Sequence, residues 1–189
     1  MPIFRKGPEP FALHISMTGI KMGDRILQLG AGDGRLFAAL AAKVGLTGRA
    51  CLLDATVSAV ERARRAAAKE GVLVEVSDGS YRMLPYDTSS FDIVVICDVL
   101  ATMTPDMRVG CLKEARRVLR EGGRCLVIEP ATRGGLGRLL TREPPDRYYV
   151  SSGGAATALE TEGFRAVRVL AEREGHAFTE GAKPRKVDG

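Results

Sequence analysis

No apolar run in this chain approaches the length needed to cross a bilayer, and the first residues, MPIFRKGPEPF, lack the long apolar stretch of a secretory signal. The expectation is a cytoplasmic protein with no membrane span. Cysteine is scarce: Cys51, Cys97, Cys111 and Cys125, with no CxxC pair among them. Three lie in strand-like apolar runs and Cys111 in a helix-like one, which reads as buried reduced thiols, not as disulfides or metal ligands. The two histidines, His14 and His176, are far apart in sequence, so no metal site is expected. There is no internal repeat and no low-complexity linker. Charge excess is slight, 28 Lys plus Arg against 23 Asp plus Glu. The Arg pairs at 64–65 and 116–117 sit beside Glu61 and Glu114 and read as solvated helix faces, so a nucleic-acid partner is disfavoured.

What is present is enough for one core without staples: 189 residues, 45% of them hydrophobic. Strand-like and helix-like runs alternate. Strands are expected at Arg25–Leu29, Ala50–Leu53, Val72–Val76, Asp92–Cys97, Arg124–Glu129 and Phe164–Leu170, with a last one at His176–Gly181 running antiparallel. Helices are expected at Arg35–Val44, Ser58–Glu70, from Thr104 to about Arg120, and at Ala155–Glu162. Thr56 and Thr104 read as N-caps, Pro105 as a first-turn proline and Gly71 as a helix stop. The run DIVVIC is nearly all apolar, as a central parallel strand buried on both faces must be. The fold class is therefore α/β, a Rossmann-like doubly wound sheet of about seven mostly parallel strands with helices on both faces. Residues 1–183 read as a single domain, with 1–22 as an N-terminal cap segment, 131–152 as a lid-like insertion and 184–189 as a frayed tail.

Residues 27–34, LQLGAGDG, raise the functional question. Gly30, Gly32 and Gly34 follow the first strand, where sheets of this kind bind ligands. One glycine suffices for a tight turn; three at alternate positions favour a nucleotide-like ligand pressed against bare backbone. A dinucleotide fingerprint would require a third glycine where Arg35 stands, and Asp33, read as an N-cap, competes with a pyrophosphate for the helix amides. No Gly-Lys-Ser/Thr follows, so a Walker loop is excluded. The loop suits a ligand without phosphates. Asp54 closes the second strand about 20 residues on, placed to accept both hydroxyls of a ribose. Asp78-Gly79 closes the third strand; alone it is a good turn, and in series with the others it completes an adenosine site.

Glycine loop, ribose acid and adenine-pairing Asp together resemble the class I S-adenosylmethionine-dependent methyltransferases, over about residues 22–130. LPYDTSSFDIVVICDVL (84–100) is similar to the family's segment leading into strand four, and LKEARRVLREGGRCLVIEP (112–130) to its helix, Gly-Gly turn and strand five. GFRAVRVL (163–170) is similar to its sixth strand, and the pattern is nearest to the small-molecule enzymes of quinone biosynthesis. The resemblance implies S-adenosylmethionine as cofactor and S-adenosylhomocysteine as product. It places Gly30, Ala31, Gly32 and Gly34 at the methionine part, Asp54 at the ribose, Ala55, Asp78 and Gly79 at the adenine, and Cys97 and Asp98 beside the sulfonium. Gln28 departs from the pattern, since the family has Asp or Glu two residues before the first glycine. Gln accepts a hydrogen bond without charge, and charge-assisted bonds are roughly twice as strong.

Methyl transfer from a sulfonium is an in-line displacement, and a base is needed only for a protonated acceptor. Candidate bases are His14, Asp98, Tyr148 and Tyr149; none is singled out. The end of strand four reads CDVL, not the Asn/Asp-Pro-Pro-Tyr/Phe of many methyltransferases acting on exocyclic amines. A small-molecule methyl acceptor is the first expectation. RNA or protein methylation and a non-catalytic S-adenosyl-binding protein, which Gln28 keeps in view, are the alternatives. The short lid suggests an open cleft, a large or flat acceptor, or a neighbouring subunit of a homodimer completing the site.

Overall fold

The computed structural model describes residues 10–131 and 145–186. Seven strands form one sheet among them: β1 (Arg25–Leu29), β2 (Arg49–Asp54), β3 (Glu75–Asp78), β4 (Phe91–Cys97), β5 (Leu119–Pro130), β6 (Arg165–Arg173) and β7 (His176–Ala182). Their order is β3-β2-β1-β4-β5-β7-β6. The first five are parallel, and β7 is antiparallel to both β5 and β6. This is the expected doubly wound α/β sheet. Chain order reverses between β1 and β4, which opens a crevice at the carboxyl ends of those two strands.

Alternating side chains along the strands feed two cores. Leu27 and Leu29 of β1, Val94 and Ile96 of β4, and Cys125 and Val127 of β5 face one layer. That layer includes α4 (Pro105–Val118), α5 (Arg147–Ser151) and α6 (Gly154–Thr161). Ile26, Ile93, Val95, Leu126 and Ile128 face the other. There α1 (Ala12–Thr18), α2 (Arg35–Val44) and α3 (Val57–Glu70) cover the sheet. The amphipathic period of α2 puts Leu36, Phe37, Leu40, Ala41 and Val44 on its buried face. For α4, Thr104 caps the first turn by accepting from the Met107 amide, and Pro105 occupies the first helical position.

The differences from expectation have local causes. β3 begins later than Val72, because the Val72 amide still bonds to the Ala67 carbonyl in the C-terminal cap of α3 and Leu73 is left exposed. Helix α4 stops at Val118, two residues early, where Leu119 turns inward to pair with Phe91. β5 then bulges through Gly122-Gly123 before Arg124 pairs with Ile93. The N-terminal stretch FALHISM forms α1 without a polar cap, since Phe11 at its start adopts φ 63°. Within the expected lid, Asp146 caps the short α5 by accepting from the Tyr148 amide; residues 132–144 lie outside the described residues. Lys183, at the edge of the expected frayed tail, is tied down: its amide bonds to the Gly123 carbonyl and its ammonium to that of Leu119 at 2.6 Å.

Phe178 anchors β7 to the α1 layer, fully buried and edge-on to His14 with ring centroids 5.2 Å apart. Phe178→Ala is expected to cost about 3–5 kcal/mol in urea unfolding at an unchanged m-value.

Candidate functional site

The three loop glycines are there for different reasons. Gly30 has φ 88°, and a Cβ on it would overlap the Cys97 carbonyl oxygen and lie 2.8 Å from Val99 Cγ1. Gly34 has φ 83°, and a Cβ would meet Ala63 Cα of α3 at 2.5 Å. These two are glycines because β4 and α3 press against the loop. Gly32, φ 54°, faces open space with nothing within 4 Å. Packing therefore explains two of the three, where the sequence alone assigned the alternation to a ligand. Gly34 itself is the first cap of α2, while Asp33 accepts from the Arg35 amide at 3.0 Å and pairs with its guanidinium at 2.7 Å.

Asp54 holds the loop to the sheet. One carboxylate oxygen accepts from the Ala31 amide at 2.8 Å, and the other from the Thr56 amide and hydroxyl, both at 2.9 Å. Thr56 is the N-cap of α3 by position, but its hydroxyl turns back to Asp54 instead of capping the helix. The Gly30 amide bonds to the Leu53 carbonyl and the Gly79 amide to that of Asp54. The ends of β1, β2 and β3 thus form one hydrogen-bonded rim, along which Gly32, Ala55, Asp78 and Gly79 are exposed. Tyr81, which the sequence did not single out, is buried behind it with its hydroxyl 3.3 Å from the Ala55 amide. Burial, and then the Asp54 charge, push its phenol up. Gln28 is fully buried; its amide nitrogen donates to the Gly30 carbonyl at 2.8 Å, a contact no carboxylate could make. Its Oε1 has no hydrogen-bond partner among the described residues.

Beyond the switch point the rim continues with Cys97 and Asp98. The Asp98 amide bonds to the Ile128 carbonyl, and its carboxylate lies 3.7 Å from the Cys97 thiol. Burial raises both groups; His176 and the thiol pull Asp98 back in part. The next strand end carries a residue the sequence reading missed. Both oxygens of Glu129 accept from the Tyr149 hydroxyl, at 3.1 and 3.0 Å. Burial, reinforced by the Asp98 charge, pushes Glu129 up to about 7 against the pull of Tyr149, the Ala101 amide and Arg108. Arg108 lies over the Tyr149 ring, 4.2 Å from its centroid. It is fixed by the Leu100 and Met103 carbonyls and by Asp146 at 3.0 Å. The signal for Glu129 was available: like Asp54 and Asp98, it is an acid closing an apolar strand. Nothing marked Arg108, which reads as an ordinary helix residue.

Of the four candidate bases, Asp98 and Tyr149 belong to this cluster and Tyr148 is exposed. His14 packs against His176, ring centroids 5.0 Å apart, and against Phe11 and Phe178. Burial first, then His176, lower its affinity for a proton. The two histidines are thus neighbours in space. Among the described residues no group of three or more His, Cys, Asp or Glu is arranged to hold a metal ion.

Gly32→Ala is expected to cost only the left-handed strain of about 1–2 kcal/mol. Gly34→Ala adds overlap with α3, a further penalty of about 1–3 kcal/mol in denaturant unfolding. A carboxyl group raised on folding stabilises the protein fully below its unfolded pKa and loses that contribution as pH rises through its folded one. The Glu129 contribution should therefore fall between the ordinary 4.5 and about 7, by at most about 3 kcal/mol. It is opposed by His14, whose lowered proton affinity adds stability as pH rises toward its ordinary 6.5. Glu129→Gln should remove the Glu129 contribution, leaving those of Asp98, which burial also raises, and His14; urea unfolding of both proteins across the range gives the difference.

With this geometry in place, comparison with known proteins is decisive for the family. The methyltransferase domain family matches residues 26–123, just over half of the chain. A ubiquinone/menaquinone biosynthesis C-methyltransferase UbiE of Chromobacterium violaceum is 35% identical over 118 residues, 61% of this chain and 48% of that protein. The chain thus spans about half the length of that relative. The UbiE of Ectopseudomonas mendocina is 31% identical over 177 residues, 92% of this chain and 67% of that protein. Among solved structures, a SAM-dependent methyltransferase of Aquifex aeolicus superposes with a TM-score of 0.71 at 22% identity, covering 92% of this chain and 93% of that one. That likeness is one of fold. From sheet order, strand-end rim and family match together, the chain belongs to the class I S-adenosylmethionine-dependent methyltransferase family.

Proposed function

We propose that the chain is an S-adenosylmethionine-dependent methyltransferase acting on a small-molecule acceptor, with a carbon atom of a quinol-type ring as the acceptor its relatives suggest. The observation that carries the reading is Oε1 of Gln28, a buried acceptor beneath the glycine loop with no partner among the described residues. The residues suit an S-adenosyl ligand. Gln28 Oε1 can accept from the ammonium group of the methionine part, so the lost family carboxylate leaves a neutral acceptor in place. Gly30, Ala31 and Gly32 offer bare backbone there, and Gly34 keeps the loop seated on α3. Asp54 uses three of roughly four acceptor positions internally, leaving one for a ribose hydroxyl. Ala55, Asp78 and Gly79 border the adenine position, and Cys97 and Asp98 face the reacting end.

The cofactor supplies a methyl group on a sulfonium that leaves as a neutral thioether. What the chain must do is position the acceptor in line, keep water out and manage a proton. The placement of basic charge supports a small acceptor over RNA. A hollow lined by Lys113, Arg116, Arg117, Lys183 and Lys186, with Glu121 as its one acid, lies beside Thr88 and Ser89, at the amino ends of the parallel strands and away from the crevice. No helix among the described residues is long and apolar enough to cross a membrane.

Calorimetric titration should show both S-adenosylmethionine and S-adenosylhomocysteine binding. Asp54→Ala and Gly32→Ala should each weaken binding by about tenfold or more while circular dichroism stays native. A folded wild-type protein that binds neither ligand would overturn the cofactor assignment. Transfer of labelled methyl to reduced naphthohydroquinone, and not to RNA, would support the acceptor class; the reverse would favour a macromolecular substrate.

A further inference from the structure

We propose that Glu129 is the proton acceptor of the methyl-transfer step and Tyr149 the residue that positions it, so that the acceptor is a protic one that must lose a proton to be methylated. This rests on the methyltransferase reading and adds to it the base that the sequence did not identify.

Four features of the geometry point there. Glu129 lies at the carboxyl end of β5, the strand next to β4, which ends in Cys97 with Asp98 following at the same sheet end. Its two oxygens share one Tyr149 hydroxyl, so the carboxylate is held in one orientation with acceptor capacity left over. Tyr149 is fixed in turn: Arg108 stacks on its ring, and Asp146, at the start of the same helix, pairs with Arg108 and donates its amide to the Ala101 carbonyl. Glu129 is also only partly buried, so it is not sealed inside the core. The groups facing it are Tyr149 from α5, Arg108 from α4, the Ala101 amide between β4 and α4, and Asp98 after β4, which His176 of β7 faces. Burial and Asp98 keep this carboxylate basic near neutral pH, as a general base requires.

The step balances without another reactant. As the acceptor atom attacks the methyl carbon, the bond from that carbon to sulfur breaks and its electron pair stays on sulfur as a neutral thioether. The acceptor's proton passes to the Glu129 carboxylate. A cation and an anion become two neutral groups, and the neutral acid then returns its proton to solvent. An acceptor that arrives as a stable anion would not need this residue.

One arm of the test needs no turnover. Protein carrying isotope-labelled glutamate carboxyls is titrated by NMR, with the Glu129 signal assigned by its loss in Glu129→Gln. It should titrate near neutrality, and Tyr149→Phe should move the titration to higher pH because the donor to the charged form is gone. The complex with cationic S-adenosylmethionine should titrate lower than that with neutral S-adenosylhomocysteine. Titration in the ordinary carboxylate range, or at the same pH in both complexes, would overturn the proposal. In the second arm, with reduced naphthohydroquinone, Glu129→Gln should lower kcat by about 100-fold or more with KM for S-adenosylmethionine unchanged. Glu129→Asp should restore part of the rate, and Tyr149→Phe should shift the acid limb of kcat upward in pH. Unchanged kcat in Glu129→Gln would refute the base. Absence of cofactor binding by calorimetry marks failure of the methyltransferase reading instead, and the ligand-free titration then decides between a poised and an ordinary carboxyl.

Discussion

A single carboxylate at the end of β2 organises the crevice. Asp54 bridges the glycine loop after β1 and the first turn of α3 through three short hydrogen bonds, while its own carbonyl receives the Gly79 amide from the end of β3. Bonds from backbone amides to an ionised acceptor are among the stronger ones a protein makes. The loop backbone, with its positive φ values, therefore stands in one conformation before any ligand arrives. The same residue is the one proposed to hold the ribose, and its internal hydrogen bonds already take most of its lone pairs.

Charge is handled differently on the two sides of the switch point. On the β1–β3 side Gln28 stands where an acid is expected; its amide nitrogen caps the Gly30 carbonyl and its oxygen has no partner among the described residues. On the β4–β5 side two acids, Asp98 and Glu129, close adjacent strands, and desolvation raises both. Two carboxyl groups facing one cleft resist ionising together. Arg108 limits that repulsion, but it is spent mostly on carbonyls and Asp146, so Glu129 stays poised instead of firmly ionised. The short α5, which brings Tyr149, thus sets the hydrogen bonding of the group at the end of β5.

Much of this was legible from local pattern. Apolar period located all seven strands and the main helices, because burial between two helical layers demands near-continuous apolar runs in central strands. Asp54, Asp78 and Asp98 were legible because a polar residue ending such a run must lie at the sheet edge. By the same argument Glu129 was legible as a strand-end acid, although its partner Tyr149 comes from a separate helix that no local pattern ties to it. The start of β3 was misplaced because Val72 and Leu73 have strand propensity but lie in a helix cap, where hydrogen bonding overrides propensity.

The sequence by itself determined the order of elements, the placement of acids and glycines at strand ends, and through them the family, since all of these are local consequences of period and punctuation. Tertiary structure alone decided that Gly30 and Gly34 answer to packing while Gly32 stands open, that His14 meets His176, and that Tyr149 and Arg108 converge on Glu129. Each of those contacts joins segments tens of residues apart. They exist only because the sheet order sets β4 beside β1 and β7 beside β5, and because the crossovers lay α1, α2 and α3 on one face and α4 and α5 on the other, which no local pattern specifies.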